Sequence, residues 1–121
     1  MKTILIVDDD ADQVELLGMV FSGKYHVLQA MSMREAICIW KDNPQIDAII
    51  TDFFLGDGTG PDLIATIKPG SSVATILVTG RDLDVKVNGR YKDFDAYFIK
   101  PTNFNILSAT LSTVLRTKEK T

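Results

Sequence analysis

The sequence predicts an α/β fold in which a five-stranded parallel sheet carries helices on both faces. Several short runs of β-branched and other apolar residues show no polar alternation, which is typical of strands buried on both sides. These runs alternate along the chain with segments of helical periodicity. The connections are short and each crossover should be right-handed, so we expect a flavodoxin-like (βα)5 sandwich with strand order 2-1-3-4-5.

The predicted strands are marked by their apolar runs. The third run begins at Ala48 and stops at a carboxylate, Asp52, after which a glycine-rich loop opens. The first run stops in the same way at Asp8. The other strands end at a glycine, at a lysine, or before the second predicted helix. The five predicted strands comprise residues 3–7, 27–30, the run from Ala48 to Asp52, residues 74–79 and residues 96–99.

Four helices are predicted from apolar periodicity and end signals. The second begins at a capping box, Ser32 with Glu35, and ends near Asp42. The third covers Pro61–Ile67, and the last follows a cap at Asn103 or Thr102. In the first and last helices the apolar stripes comprise Val14, Leu16, Leu17, Val20 and Phe21, and Phe104, Leu107, Leu111 and Val114.

The segment 81–94 fits its expected place least well. The topology calls for a helix there, but Leu83, Val85 and Val87 alternate at period two, and Asn88-Gly89 is a turn signal. Whether this segment forms a regular helix therefore cannot be predicted from its residues.

Composition narrows the classes of function. The chain has 121 residues, which suits one domain, and its net charge of −3 with no basic cluster before the tail predicts no nucleic-acid site. Its one cysteine, Cys38, excludes an internal disulfide, and we expect an inert, partly buried thiol. The single histidine, His26, has no partner for metal binding. No apolar run is long enough for a signal peptide or a membrane span, so we expect a cytoplasmic protein.

Polar residues follow the predicted strands at one edge of the sheet. Because the carboxyl ends of parallel strands share an edge, Asp8, Asp9 and Asp52 should lie together, with Thr79 and Lys100 beside them. Three adjacent carboxylates repel each other unless a cation or a proton joins them, and oxygen-only ligands suit Mg²⁺. The Lys100 ammonium group and the Thr79 hydroxyl could each bind a further oxygen of a phosphoryl group. The residues at this edge therefore predict phosphoryl transfer to a carboxylate.

The chain resembles the receiver domains of two-component response regulators over essentially all of residues 1–121. The resemblance rests on four motifs in order: 4–10 with its acidic end, Asp52 followed by 55–60, the segment 78–80, and Lys100-Pro101. It implies that Asp52 is phosphorylated from a histidine of a sensor histidine kinase or a histidine phosphotransfer protein. The domain would catalyse its own phosphorylation and dephosphorylation without being a metabolic enzyme.

The resemblance also implies roles for the neighbours of Asp52. Asp8 and Asp9 match the acidic pair that holds Mg²⁺ with Asp52, and Phe54 would add its backbone carbonyl. Lys100 would pair with the phosphoryl group, and Pro101 would follow it through a cis bond.

Further roles concern switching and access. Thr79 and Tyr97 match the two residues that move on activation. Side chains two places after Asp52 and Thr79, namely Phe54 and Arg81, would control the access of water. The face formed by 81–117 would serve a homodimer or an output domain.

Three alternatives differ in chemistry. A pseudo-receiver would be a phosphorylation-independent protein-interaction module, but the acidic pair, Asp52, Thr79 and Lys100 are all present. A phosphatase of the haloacid dehalogenase class needs a second aspartate where this chain has Phe54. A flavin-binding relative needs a phosphate-cradling loop after the first strand, where this chain has three aspartates that would repel a phosphate.

Overall fold

The computed structural model describes residues 1–80 and 89–119. In that part of the chain it contains five strands, four α-helices and one 3-10 helix. The strands are β1 (Thr3–Val7), β2 (His26–Ala30), β3 (Ala48–Thr51), β4 (Ala74–Thr79) and β5 (Ala96–Ile99). The helices are α1 (Ala11–Phe21), α2 (Met33–Asp42), α3 (Gly60–Ile67), the 3-10 helix (Arg90–Asp93) and α4 (Phe104–Glu119).

The strands form one parallel sheet in the order β2-β1-β3-β4-β5, which confirms the predicted fold class. Helices α2 and α3 cover one face, where they pack with strand residues such as Leu5, Ile49 and Leu77. Helices α1 and α4 cover the other face, where Ile6 and Ile76 are buried. Every residue of β3 and β4 is buried, because neither face of the sheet meets water there.

Side-chain caps begin the second and last helices. The Ser32 hydroxyl oxygen accepts from the Glu35 backbone N–H (3.0 Å), as the capping box predicts, whereas the Glu35 carboxylate accepts from the Met31 N–H (3.2 Å). At the start of α4 the Asn103 side-chain oxygen accepts from the N–H groups of Asn105 (2.9 Å) and Ile106 (3.1 Å). Asn103, and not Thr102, is therefore the cap.

Two expectations about helix faces are wrong. Leu16 is 43% exposed, because the buried stripe of α1 consists of Val14, Leu17, Gly18 and Phe21 and Leu16 lies outside it. Cys38 is exposed and not partly buried. It lies two residues after the buried Ala36, which turns it about 200° to the opposite side of α2.

The segment 81–94 is described only in part. Residues 81–88, and with them the period-two alternation and Arg81, lie outside the described residues. The described remainder contains the 3-10 helix, which follows Gly89 at a φ of 65°.

Two aspartates secure the edge of the sheet where the strands begin. The Asp47 carboxylate accepts from the backbone N–H of Thr3 (2.8 Å), and the Asp95 carboxylate accepts from that of Thr75 (2.9 Å). Lys118 forms an ion pair with Asp95 (3.3 Å) at the same edge. These contacts satisfy backbone donors near the beginnings of β1 and β4.

None of the helices in the described residues combines the length and the apolar character that crossing a membrane requires.

Candidate functional site

Three carboxylates meet at the edge where the strands end. Asp8 and Asp9 follow β1, Asp52 follows β3, and one carboxylate oxygen from each lies within 4.8 Å of the others. Ladder hydrogen bonds continue one residue past the strands and fix the backbone of this cluster: the Asp52 N–H donates to Val7 (3.0 Å) and the Asp8 N–H to Ala30 (3.2 Å). The sheet itself therefore fixes the backbone positions of Asp8 and Asp52.

Lys100 supplies a positive charge to this cluster. Its backbone N–H donates to Thr79 (2.8 Å), which fixes Lys100 at the end of β5. Its Nζ donates to Asp8 Oδ2 (2.9 Å) and to Asp52 Oδ2 (3.2 Å). The following Lys100–Pro101 peptide bond is cis. One ammonium group thus joins carboxylates from two different strands.

The pKa values of Asp8 and Lys100 are both raised, but for different reasons. Burial raises the pKa of Asp8, and the hydrogen bonds from Lys100 and from the Asp10 N–H offset only part of this effect. Burial by itself would lower the pKa of Lys100, but the hydrogen bond to Asp8 and the charges of Asp52 and Asp8 outweigh it, and the pKa is raised. Lys100 is therefore firmly protonated at neutral pH.

The donor set fits a magnesium ion. Carboxylate oxygens are the ligands that this hard cation prefers, and it commonly keeps several waters. Asp8 is 3% exposed, whereas Asp9 is exposed and Asp52 is half-buried, so the cluster is anchored on one side and open on the other. Within residues 1–80 and 89–119 this is the one group of three acidic, histidine or cysteine side chains close enough to share a cation.

Thr79 and Tyr97 lie on neighbouring strands and point to the same face of the sheet. Tyr97 is paired in register with Leu77, and Thr79 follows Leu77 by two residues. Thr79 is fully buried at the end of β4. Tyr97 is half-buried, and the centroid of its ring lies 5.0 Å from the ring centroid of Tyr91 in the 3-10 helix. The structure thus places the two predicted switch residues on the same face of the sheet.

Phe54 lies two residues after Asp52 and is 40% exposed. The centroid of its ring lies 4.9 Å from the ring centroid of Phe53, and Phe53 is buried. The other predicted access residue, Arg81, lies outside the described residues. Of that pair, only Phe54 belongs to the described residues, two positions after Asp52.

Sequence reasoning missed the roles of two residues, Asp57 in the loop between β3 and α3 and Gly60 at the start of α3. The Asp57 carboxylate accepts from the N–H groups of Met33 (2.8 Å) and Arg34 (2.9 Å) in α2. Gly60 packs on the backbone of Asp52, where a Cβ would lie 3.1 Å from Thr51 Cγ2 and closer still to the Asp52 carbonyl oxygen. The glycine at the start of α3 was a usable sign of close packing, but nothing in the sequence connects Asp57 with α2.

The strand order and the acidic edge define a class: small α/β domains that can hold a cation next to an aspartate. Comparison with protein-family models makes the class specific, because residues 4–112 match the model described as "Response regulator receiver domain". The chain belongs to this family.

Relatives and solved structures agree with the family. The chain is 24% identical over 118 residues to the two-component response regulator ORR5 of Oryza sativa, covering 93% of this chain and 88% of the relative. It is 31% identical over 120 residues to the regulatory protein VanR of Enterococcus faecium, covering 97% of this chain but only 51% of that protein.

A response regulator receiver domain from Clostridium thermocellum is similar in structure, with a TM-score of 0.88, 27% identity and 98% of each chain covered. A CheY-like receiver domain from Methanospirillum hungatei JF-1 has a TM-score of 0.88 and 28% identity, covering 99% of this chain and 98% of that chain.

Proposed function

We propose that residues 1–121 form a receiver that accepts a phosphoryl group on Asp52 and changes conformation in response. The donor is a phosphohistidine of a sensor histidine kinase or of a histidine phosphotransfer protein. One observation carries the proposal: the Lys100 ammonium group contacts both Asp8 and Asp52 in a cluster of three carboxylates at the carboxyl edge of the sheet. Such a cluster suits a reaction that depends mainly on positioning and on neutralising charge.

The transfer is a substitution at phosphorus. An oxygen of the Asp52 carboxylate forms the new P–O bond while the P–N bond to the donor imidazole breaks, and the electron pair of that bond stays on the imidazole nitrogen. Lys100 Nζ, 3.2 Å from Asp52 Oδ2, is placed to hold an oxygen of the incoming group. Held by Asp8, Asp9, Asp52 and the Phe54 carbonyl, Mg²⁺ would neutralise charge on the phosphoryl oxygens.

The conformational response involves Thr79 and Tyr97. The Thr79 hydroxyl turns toward the new phosphoryl oxygens and leaves space that the Tyr97 ring enters. Because that ring lies against Tyr91, its movement changes a contact with the 3-10 helix. The face formed by 81–117 then passes the change to a second copy or to an output domain. Such a response is a population shift, limited to the few kcal/mol by which phosphorylation favours one state.

Intact-mass measurement tests the phosphoacceptor. With acetyl phosphate and Mg²⁺, we expect wild type to gain one acid-labile phosphoryl group and Asp52→Asn to gain none. Asp62→Asn, at an exposed position in the first turn of α3, is the matched control and should behave as wild type. Asp9→Ala should lose the dependence on Mg²⁺, because a carboxylate of the cation site is gone. Equal incorporation into wild type and Asp52→Asn would remove Asp52 from the mechanism, and an unmodified wild type would favour a phosphorylation-independent interaction module.

A further inference from the structure

The loop between β3 and α3 is attached to a helix that is distant in the sequence. Asp57 Oδ1 accepts from the Met33 N–H (2.8 Å) and Asp57 Oδ2 accepts from the Arg34 N–H (2.9 Å). Both oxygens of one carboxylate are therefore engaged by adjacent backbone groups in the first turn of α2. Hydrogen bonds to an ionised acceptor are stronger than neutral ones. In agreement, the hydrogen bonds from Arg34 and Met33 lower the pKa of Asp57.

The loop itself is a small hairpin, so that a constraint at its tip reaches its base. Phe54 and Thr59 form an antiparallel bridge, and the Leu55 N–H donates to the Gly58 carbonyl (3.0 Å). At the base, the Gly60 N–H donates to the Phe53 carbonyl (2.7 Å). Asp57 lies at the tip of this hairpin, and Asp52 immediately precedes it.

A second contact holds the same tip against α2. Gly58 lies against the Met33 side chain, where an added Cβ would be 3.5 Å from Met33 Cβ and would overlap the sulfur. Leu55, in the same hairpin, is 2% exposed and belongs to the core cluster beneath α2 and α3. The tip is thus held by charge on one side and by packing on the other.

Asp57 does more than cap the start of α2. The Ser32 hydroxyl accepts from the Glu35 N–H (3.0 Å), and Asp57 accepts from two other N–H groups that the helix leaves without internal partners. Asp57 comes from 24 positions away from Met33, so its two hydrogen bonds join segments that would otherwise meet only through packing. The side chain of Asp57 is exposed, and its hydrophobic contribution is therefore small.

We propose that Asp57 is a positioning residue for the phosphoacceptor site: it ties the hairpin that carries Phe54 to α2 and thereby sets how the Phe54 ring lies beside Asp52. This inference rests on the proposed function. When the tie is cut, the hairpin loses its fixed position over the site. Water then reaches an aspartyl phosphate more easily, and the phosphoryl group is lost faster.

The experiment compares Asp57→Ala, Asp57→Asn and Ser32→Ala with wild type. Ser32→Ala is the matched control, because it removes a cap from the same turn of α2 and leaves the hairpin attached. The first measurement is the decay rate of the phosphorylated protein after the donor is removed. The second is the ¹⁵N–¹H spectrum of the unphosphorylated protein, in which the amide signals of Phe54 and Thr59 report on the hairpin.

We expect Asp57→Ala to speed decay by roughly two- to tenfold, which is well below the roughly 100-fold change that a 1 Å misplacement of reacting groups can cause. Asp57→Asn should lie between Asp57→Ala and wild type, because an amide offers one acceptor oxygen where a carboxylate offers two. The Phe54 and Thr59 amides should shift in Asp57→Ala and stay in place in Ser32→Ala.

Three outcomes would overturn the inference: unchanged decay in Asp57→Ala, the same acceleration in Ser32→Ala, or hairpin amides that do not move. If wild type takes up no phosphoryl group, the proposed function fails and the positioning role for this reaction fails with it. Unmoved amide signals would in that case also show that Asp57 does not hold the hairpin. A phosphorylated wild type with unchanged decay in Asp57→Ala overturns only the inference.

Discussion

Replacement of Gly60 by alanine should directly strain the backbone of Asp52, the proposed phosphoacceptor. Gly60 is the first residue of α3, and its N–H donates to the Phe53 carbonyl (2.7 Å). A Cβ at this position would lie 3.1 Å from Thr51 Cγ2 and would overlap the carbonyl oxygen of Asp52. These neighbours belong to a fully buried strand and to the backbone, so they cannot rotate away as a flexible side chain would.

Two effects of opposite sign set the magnitude. Overpacking of a close contact typically costs about 1–3 kcal/mol. Alanine is favoured over glycine by up to about 1 kcal/mol in a helix, and by less at a helix end. We therefore expect Gly60→Ala to lower the free energy of unfolding by about 1–2 kcal/mol. With a urea slope of ~2 kcal/mol/M, the midpoint should fall by ~0.5–1 M.

Urea unfolding followed by the fluorescence of Trp40 measures this change, since Trp40 is the only tryptophan of the chain. Gly18→Ala in α1 is the matched control. An added Cβ there would meet only the end of the Gln29 side chain, which can move, so this variant should be as stable as wild type or up to about 1 kcal/mol more stable. Gly60→Ala should also be phosphorylated more slowly than Gly18→Ala. If Gly60→Ala were as stable as wild type or more stable, that result would contradict the close approach of Gly60 to the Asp52 backbone.

Three further predictions concern lifetime, switching and pH. Phe54→Asn and Arg81→Ala should each shorten the lifetime of the phosphorylated protein, as measured by its decay rate, and unchanged decay in both would exclude shielding. Beryllofluoride should shift the NMR signals of Thr79 and Tyr97 together, whereas shifts confined to the surroundings of Asp52 would contradict the switch. Because hydrogen bonds from Arg34 and Met33 lower the pKa of Asp57, its stabilisation is present above the ordinary pKa of 3.8 and is lost as the pH falls through the lowered pKa. The difference in urea midpoint between wild type and Asp57→Asn should therefore shrink in acid.

The parallel sheet was predictable because its signal is local. Unbroken apolar runs such as residues 4–7 are typical of strands covered on both faces, and the residue after each run then falls at a known edge of the sheet. The same logic predicts that Asp8, Asp52 and Lys100 lie together at that edge. Their placement at one edge agrees with the structure, while their chemical roles stay predictions.

The remaining features depend on distances that sequence patterns do not encode. The exposure of Leu16 depends on which side of α1 faces the sheet, and the apolar stripe of this helix is wider than the face that is buried. The hydrogen bonds between Asp57 and α2 depend on the shape of the loop between β3 and α3. That shape brings together Asp57 and Met33, which are 24 positions apart in the sequence. The approach of Gly60 to Asp52 depends on how α3 enters its position above β3.

Acidic residues have different contacts at the two edges of the sheet, namely the edge where the strands begin and the edge where they end. Where the strands begin, Asp47 and Asp95 each accept a backbone hydrogen bond, and these contacts help to hold the framework together. Where the strands end, like charges are brought close together, which works against folding. Lys100 offsets part of this repulsion by joining Asp8 and Asp52, and the backbone hydrogen bonds at the opposite edge do not depend on it. Substituting one of the clustered carboxylates would therefore leave intact the contacts that hold the beginnings of β1 and β4.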